Sequence, residues 1–377
     1  MKSTEASCLT PDVSVLIPTH NYGHLIEETL ASIYSQKGVT CEIIIVDDGS
    51  TDSTPDILSQ HADNITYIRQ PCAGVSSARN RALRKCRGRY IQFLDADDIL
   101  GEPECLLKRV RLLEKLPLKS IVVCRTDTFE QLFRRGKPKV NGHWYIFTDK
   151  LDLHLCRLNI APPHAFLFGC ELIKDIGLFK EHYGGCEDYD FWLRALGQGY
   201  HFYYCGNTKV FYRKHLSSKG AKKARLGAFP FDVEVHTQMH TGAYGKGVTN
   251  ILQTNAGKLA MACGTLATAV KINPEANPSG QLYVAELAYH YLKSALDEMS
   301  TDITKCSLET RLFVRRLLCQ KSSVASLNYF PLSNVMARLS KKACRPLIYV
   351  TDILEAFPYT KIEQQALMYF LLKSLLP

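Results

Sequence analysis

The first hundred residues alternate short apolar runs with segments of helical periodicity, and this alternation strongly constrains the fold. Apolar runs rich in branched and aromatic residues at 13–17, 42–46, 66–68 and 90–94 predict buried strands. Residues 25–36 and 74–85 predict helices between them. Strands and helices joined by short connections favour a parallel sheet, because the crossover between parallel strands is almost always right-handed. We therefore expect an α/β fold with a mostly parallel central sheet and flanking helices.

Acidic residues follow two of these predicted strands. EIIIV (42–46) runs into Asp47 and Asp48, and YIQFL (90–94) runs into the sequence DADD. Asp95 and Asp97 point to the same side of an extended chain, and the small Ala96 between them leaves room for a ligand. Open α/β sheets bind ligands at the carboxyl ends of their strands. Carboxylates at this spacing suit Mg²⁺ or Mn²⁺ bridging to a phosphate, although an Asp-rich turn that only caps the next helix has the same pattern.

The acids after residues 42–46 are candidates for hydrogen bonds to a base or a ribose, as in nucleotide-binding folds. No GxGxxG follows the first strand and no P-loop occurs, which argues against a dinucleotide fingerprint and a Walker A NTPase. The charge of a bound phosphate would then be met by a metal ion and by Arg79 or Arg81. Arginines on a helix are also common as solvated surface residues.

A second acidic pair, Glu187 and Asp188, begins a predicted helix whose apolar face carries Phe191 and Trp192. The helix dipole favours ionised carboxylates in a first turn, and simple capping of the helix is the alternative reading. Residues 126–164 match no motif, and we expect residues 126–158, which include the basic and turn-prone RRGKPKVNG, to form an excursion over the sheet.

Six segments, in order, resemble the motifs of the family-2 glycosyltransferases, which are inverting enzymes of the Rossmann-like GT-A fold. They are VSVLIPTHN, EIIIVDDGSTD, GVSSARNRAL, FLDADD, CEDYDFWLRA and YRKHLSSKG, and they span about residues 12–220. One departure is Arg81 and Ala82, where the family has another residue followed by glycine. The resemblance implies a nucleotide-sugar donor, with a UDP-sugar favoured, a Mn²⁺ or Mg²⁺ cofactor, and a glycan or lipid-linked acceptor.

The resemblance also implies roles for particular residues. Asp48 would contact the uracil or ribose, Asp95 the ribose or diphosphate, and Asp188 would be the catalytic base. Asp97 and His215 would bind the metal. The implied donor-binding residues are Pro18, Thr19, Asn21, Asp48, Arg79, Asp95 and Ala96.

Two other functions are compatible with parts of the pattern. The haloacid-dehalogenase phosphatases also have a DxD at a strand end, but theirs lies on the first strand and is followed by Gly-Thr, whereas Asp98 and Ile99 follow here. A non-catalytic sugar-nucleotide-binding protein would be expected to lack Asp97 or Asp188, and both are present. Glycosyl transfer is therefore the favoured interpretation.

Length and charge predict a second region. A chain of 377 residues allows more than one domain, and we expect a glycosyltransferase domain at 1–220 and a mainly helical domain at 221–377. The net charge is +9, and the tail from residue 221 holds 18 Lys and Arg against 11 Asp and Glu. That excess favours an anionic partner of the tail, without any signature of nucleic-acid binding.

The tail carries basic amphipathic segments at 308–321, 337–345 and 362–376. Such helices can dock on anionic lipid, or they can bury their apolar stripes against one another in a bundle. No signal peptide and no transmembrane-length apolar run is visible, so we expect a cytoplasmic protein with peripheral membrane contact through the tail as one option. The 14 cysteines include no CxxC pair, which argues against a zinc site and a disulfide framework.

Overall fold

A computed structural model describes residues 10–132, 138–144, 148–215 and 230–271, and scattered positions between 279 and 294. Its strands are β1 (Val13–Thr19), β2 (Cys41–Asp47), β3 (Thr66–Arg69), β4 (Tyr90–Phe93), β5 (Ile99–Leu100), β6 (Ser120–Leu132), β7 (Pro138–His143), β8 (Phe166–Gly169) and β9 (His201–Arg213). Its helices are α1 (Ile26–Tyr34), α2 (Thr54–Ser59), α3 (Val75–Leu83), α4 (Cys105–Leu113), α5 (Leu151–Leu155), α6 (Glu171–Ile176), α7 (Glu187–Gly197), α8 (Pro230–His240), α9 (Lys246–Gln253) and α10 (Asn255–Lys271).

All the described strands belong to one sheet in the order β3-β2-β1-β4-β8-β6-β9-β5, with β7 beside β6. The first four strands are parallel, as the alternation predicts: β1 pairs with β2 and β4, and β2 pairs with β3. β8 lies antiparallel between β4 and β6, and β6 runs parallel to β9. The carboxyl ends of β1, β2 and β4 therefore lie along one edge of the sheet, and the predicted α/β class is confirmed.

The region that the sequence left unassigned extends the sheet. Instead of the expected excursion at residues 126–132, β6 continues through them, and β7 returns beside it as an antiparallel partner. Thr126, Asp127 and Thr128 are buried there, because β9 pairs along the opposite side of β6. Pairing with β7 and β9 satisfies the backbone hydrogen-bonding groups of this polar stretch. The strand could not be predicted from the sequence, because its apolar residues do not alternate with polar ones.

An aromatic cluster fixes α7 against the sheet. Phe179 and Phe191 stack with ring centroids 4.4 Å apart, and Phe166 stacks on Trp192 at 4.1 Å. Phe93, at the end of β4, packs edge-on against Phe191 at 6.2 Å. Burial of each such side chain is worth about 1.5–3 kcal/mol. The first turn of α7, with its acidic pair, is therefore held beside the end of β4.

The chain divides into two compact units. The first comprises Met1–Arg225 together with Gln238–Val248, and the second comprises Leu226–Thr237 and Thr249–Pro377. Within the first unit, the Tyr244 hydroxyl donates to Asp190 Oδ1 at 3.0 Å. Within the second, His236 Nε2 lies 2.9 Å from Thr268 Oγ1. The expected division after residue 220 stays a prediction.

The amphipathic segments predicted at 308–321, 337–345 and 362–376 lie outside the described residues. Among the helices that are described, none combines the length and the apolar character needed to cross a membrane.

Candidate active site

The DADD turn begins where β4 ends and is held by hydrogen bonds to its neighbours. The Leu94 amide donates to the Leu16 carbonyl at 3.0 Å, and the Asp98 amide closes the turn on the Asp95 carbonyl at 3.0 Å. Ala96 is buried, and its carbonyl accepts from Thr29 Oγ1 at 2.9 Å. The turn therefore presents Asp95 and Asp97, with 30% and 12% of their side chains exposed, from a fixed backbone.

Arg79 joins this turn to the first turn of α7. Its side chain is only 3% exposed; Nη2 donates to Asp95 Oδ1 at 2.9 Å and Nη1 donates to Glu187 Oε1 at 3.1 Å. Burial opposes the arginine charge, but Asp95 and Glu187 outweigh it and raise the pKa of Arg79 above its ordinary value. Two acidic motifs that lie about ninety residues apart in the sequence are thereby brought to one place.

Asp188 is the half-buried acid next to Glu187. Its Oδ1 accepts from the Tyr189 amide at 2.8 Å, and its Oδ2 accepts from Asn159 Nδ2 at 2.7 Å. Burial, and then the neighbouring charge of Glu187, raise the pKa of Asp188 to about 6, while Arg79 and Asn159 oppose the rise. A carboxylate with a pKa near 6 is ionised at neutral pH and basic enough to act as a general base.

The side chains of Asp97 and His215 are in direct contact. His215 Nε2 lies 2.7 Å from Asp97 Oδ2, although 118 positions separate the two residues. The hydrogen bond to Asp97 raises the pKa of His215. The Tyr22 ring packs edge-on against His215 at 5.9 Å, and burial followed by the charge of Asp97 raises the pKa of Tyr22.

The donor set fits a hard divalent cation. A carboxylate and an imidazole suit Mn²⁺, and Mg²⁺ is commonly held by one or two carboxylates with substrate phosphates and water. Within the described ranges, no cluster of three or more His, Cys, Asp or Glu side chains could hold a metal by itself.

Asp98 and Arg213 hold the DADD turn through buried hydrogen bonds. The Arg213 amide donates to Asp98 Oδ1 at 2.8 Å, its Nε donates to the Asp97 carbonyl at 2.9 Å, and its Nη2 pairs with Glu28 of α1. His164 Nδ1 lies 2.8 Å from Asp98 Oδ2, with both side chains buried. Burial raises the pKa of Asp98 to about 7, and His164 moderates that rise.

The acids after β2 organise loops. The two oxygens of Asp48 accept from Gln70 Nε2 and from the backbone amides of Ala73 and Gly74, each at 2.8 Å. Asn21, at a left-handed φ of 62°, accepts from the Thr51 amide at 2.8 Å. Both residues brace loops at the carboxyl edge of the sheet, and their contact with a base or ribose stays a prediction.

Pro18 and Thr19 end β1 at this edge, opposite Val46 and Asp47 of β2. Thr19 is buried, and its Oγ1 has no hydrogen-bond partner among the residues that the structure describes. The donor-binding roles of both residues likewise remain predictions.

The structure thus brings together Arg79, Asp95, Asp97, Asp188 and His215, and it adds residues that sequence reasoning missed. Tyr22 follows the predicted Asn21, and Asp98 belongs to DADD, so a signal for both was present. Asn159 and His164 lie in the stretch without a motif and carried no signal. Arg213 belongs to the segment YRKHLSSKG, but the sequence analysis assigned no role to it.

Residues 14–177 match the family model described as glycosyl transferase family 2. An uncharacterised glycosyltransferase of Rickettsia typhi is 31% identical over 200 residues, which cover 50% of this chain and 59% of that protein. The chondroitin synthase of Escherichia coli is 33% identical over 195 residues, covering 50% of this chain and 27% of the synthase. The matched region is thus little more than half of the Rickettsia protein's length.

Among solved structures, a mannosyltransferase from Pyrobaculum calidifontis, in complex with GDP-Man and Mn²⁺, has the same fold. The TM-score is 0.52 at 19% identity, over 97% of this chain and 88% of that one. The order of motifs, the mixed sheet and the family match agree with one another. This chain is therefore similar to the family 2 glycosyltransferases over residues 14–177, and it has the GT-A fold.

Proposed function

We propose that this protein is an inverting glycosyltransferase that moves a sugar from a nucleoside-diphosphate donor, favoured to be a UDP-sugar, to an acceptor hydroxyl. The observation that carries the proposal is the bridge from Arg79 to Asp95 at 2.9 Å and to Glu187 at 3.1 Å. Through that bridge, the acid proposed to face the donor and the helix turn that holds Asp188 border a single site.

Asp188 would act as the general base. In its ionised form it accepts the proton of the acceptor hydroxyl, whose oxygen attacks the anomeric carbon from the side opposite the diphosphate. The bond from that carbon to the diphosphate oxygen breaks, and its electron pair leaves with the diphosphate. A single displacement inverts the anomeric carbon, and it needs one carboxylate base and no nucleophilic carboxylate.

Asp97 and His215 would hold Mn²⁺ or Mg²⁺, with diphosphate oxygens and water in the remaining positions. When bound, the cation neutralises charge that develops on the leaving diphosphate. The 2.7 Å approach of Asp97 and His215 supports this assignment, and the Pyrobaculum complex with GDP-Man and Mn²⁺ agrees with it.

The donor would lie along the carboxyl edge of the sheet. Asp95 is exposed enough to reach a ribose or diphosphate, whereas the near-complete burial of Arg79 suits orientation of Asp95 more than a direct contact. Further donor contacts are proposed for Pro18, Thr19, Asn21, Asp48 and Ala96. A glycan acceptor is in keeping with the chondroitin synthase relative, and a lipid-linked acceptor would give membrane contact of the tail a purpose.

The test is turnover by the purified full chain with a panel of nucleotide sugars, with and without Mn²⁺ or Mg²⁺. Asp188→Asn should keep donor affinity in calorimetry while release of the nucleoside diphosphate falls by about 100-fold or more. Asp56→Asn is the matched control, since Asp56 is an exposed acid in the first turn of α2. Equal turnover by wild type and Asp188→Asn refutes the base assignment.

Two further outcomes identify the rival functions. Tight donor binding without turnover of any donor or acceptor indicates a sugar-nucleotide-binding protein. Release of inorganic phosphate from a phosphomonoester would indicate a phosphohydrolase.

A further inference from the structure

Asn159 lies beside the proposed base but belongs to no recognised motif. It follows α5 in an irregular segment that leads to a short 3₁₀ helix at Pro163–Ala165. Its Nδ2 donates to Asp188 Oδ2 at 2.7 Å. The other oxygen of Asp188 accepts from the Tyr189 amide at 2.8 Å, so two donors on different elements fix the carboxylate.

The segment that carries Asn159 is anchored on both sides. The Tyr189 hydroxyl donates to the Leu155 carbonyl at 2.8 Å, which ties the end of α5 to α7. Asp152, at the start of α5, accepts from the Phe202 amide of β9 at 2.9 Å. Leu155 and Ile160 are buried. The amide of Asn159 is therefore delivered to Asp188 by a backbone that packing and hydrogen bonds hold in place.

The side-chain oxygen of Asn159, Oδ1, indicates that Asn159 does more than stabilise the fold. Its Oδ1 is buried and has no hydrogen-bond partner among the residues that the structure describes. A buried acceptor without a partner weakens the folded state, and such local conflicts concentrate at functional sites. The bond to a carboxylate is the charge-assisted kind, which is stronger than a bond between neutral groups.

We propose that Asn159 is a positioning residue for the general base: it orients the Asp188 carboxylate and favours its ionised form. This inference rests on the proposed function. An amide neither takes up nor releases a proton in the working pH range, so Asn159 acts through Asp188. The segment without a motif thereby supplies one of the residues that set the acidity of the site.

Other charged and titratable groups also act on Asp188 and must be kept constant in a test. The charge of Glu187 raises the pKa of Asp188, and the charge of Arg79 lowers it. The charge of Asp188 in turn helps to raise the pKa of Tyr212 in β9. Changes confined to Asn159 leave all three in place. Loss of one charge-assisted hydrogen bond is expected to raise the pKa of Asp188 by about one unit.

The experiment is a carbon-13 NMR titration of the full chain with its Asp side-chain carboxyls labelled, in which Asp188→Asn identifies the Asp188 signal. Asn159→Ala should move the midpoint of that signal up by about one pH unit. Asn159→Asp, which keeps the size of the side chain, should move it further, because two carboxylates in contact do not both ionise easily. Donor affinity should stay the same in both variants.

Asp56→Asn is the matched control, because it alters an exposed acid of α2 and leaves both bonds to Asp188 in place. Its midpoint should equal that of wild type. An unchanged midpoint in both Asn159 variants, or an equal shift in Asp56→Asn, overturns the proposal. If wild type turns over no nucleotide sugar while the midpoints shift as expected, the proposed function fails and the positioning of Asp188 by Asn159 stands.

Discussion

Replacing Arg79 by methionine should weaken the fold and change the acidity of the proposed base together. Methionine keeps much of the arginine volume but removes both charge-assisted hydrogen bonds. Glu187, with 9% of its side chain exposed, and Asp95, with 30%, then lose the cation between them. The buried partner should suffer more, because water can replace the lost contact at Asp95 but scarcely at Glu187.

The size of the effect follows from this burial. Removing one partner of a buried ion pair costs about 3–5 kcal/mol, and we expect the lower end, about 3 kcal/mol, because Asp95 is partly solvated. The double variant Arg79→Met with Glu187→Gln removes the carboxylate charge as well as the arginine. Its loss of unfolding free energy should therefore be smaller than the sum of the losses in the two single variants. A coupling free energy of about 2 kcal/mol is expected from this cycle.

Urea unfolding of the four proteins measures that coupling, and the pH dependence of kcat/KM measures the second effect. Arg79 helps to hold down the pKa of Asp188, so its loss should move the acidic limb of the profile from about 6 upward by about one unit. Arg81→Met, at an exposed position of the same helix, is the control and should change neither quantity. A stability loss under about 1 kcal/mol with an unmoved limb would refute the bridge as the connection between the two motifs.

Three further outcomes follow from the site and the tail. Asp97→Ala should abolish the metal dependence of UDP binding in calorimetry and His215→Ala should weaken it; unchanged affinity in both contradicts the metal assignment. Because the pKa of Asp188 rises from 3.8 to about 6, the folded state binds its proton more tightly than the unfolded chain does. This contribution to stability is complete below pH 3.8 and is lost as the pH rises through about 6, while kcat/KM rises over the same range; activity that is flat from pH 5 to 7 contradicts this. If the tail docks on anionic lipid, the full chain should sediment with anionic liposomes at low salt only, whereas a chain ending at Lys271, which retains Tyr244, should not; equal sedimentation leaves the tail as a structural or partner-binding region.

Some site residues were predictable because their signal is local. A strand that ends in acids, as at Asp95 and Asp97, is recognisable from a few consecutive residues, and so is an acidic first turn such as Glu187 and Asp188. The family resemblance added roles to these positions. Arg79 was predicted at the site as a donor contact, but its burial between two carboxylates could not be read from a helix that also carries the exposed Arg81.

Other residues had no local signal at all. Asn159 stands in an irregular segment whose composition resembles that of many surface loops. That segment lies beside α7 because Leu155 and Ile160 are buried and because the Tyr189 hydroxyl donates to the Leu155 carbonyl. The polar strand through Thr126 and Thr128 was missed for a similar reason, since it is stabilised by pairing on both sides and not by an apolar pattern.

The sequence by itself determined the alternation of strands and helices over the first hundred residues, the α/β class and the acids at the strand ends, because periodicity and strand termination depend on neighbouring residues. The tertiary structure decided which distant groups meet. The insertion of β8 between β4 and β6, antiparallel to both, sets α7 beside the DADD turn, and the pairing of β9 returns His215 to Asp97 across 118 positions. Such pairings depend on the free energy of the whole sheet and its core, which no short stretch of sequence contains.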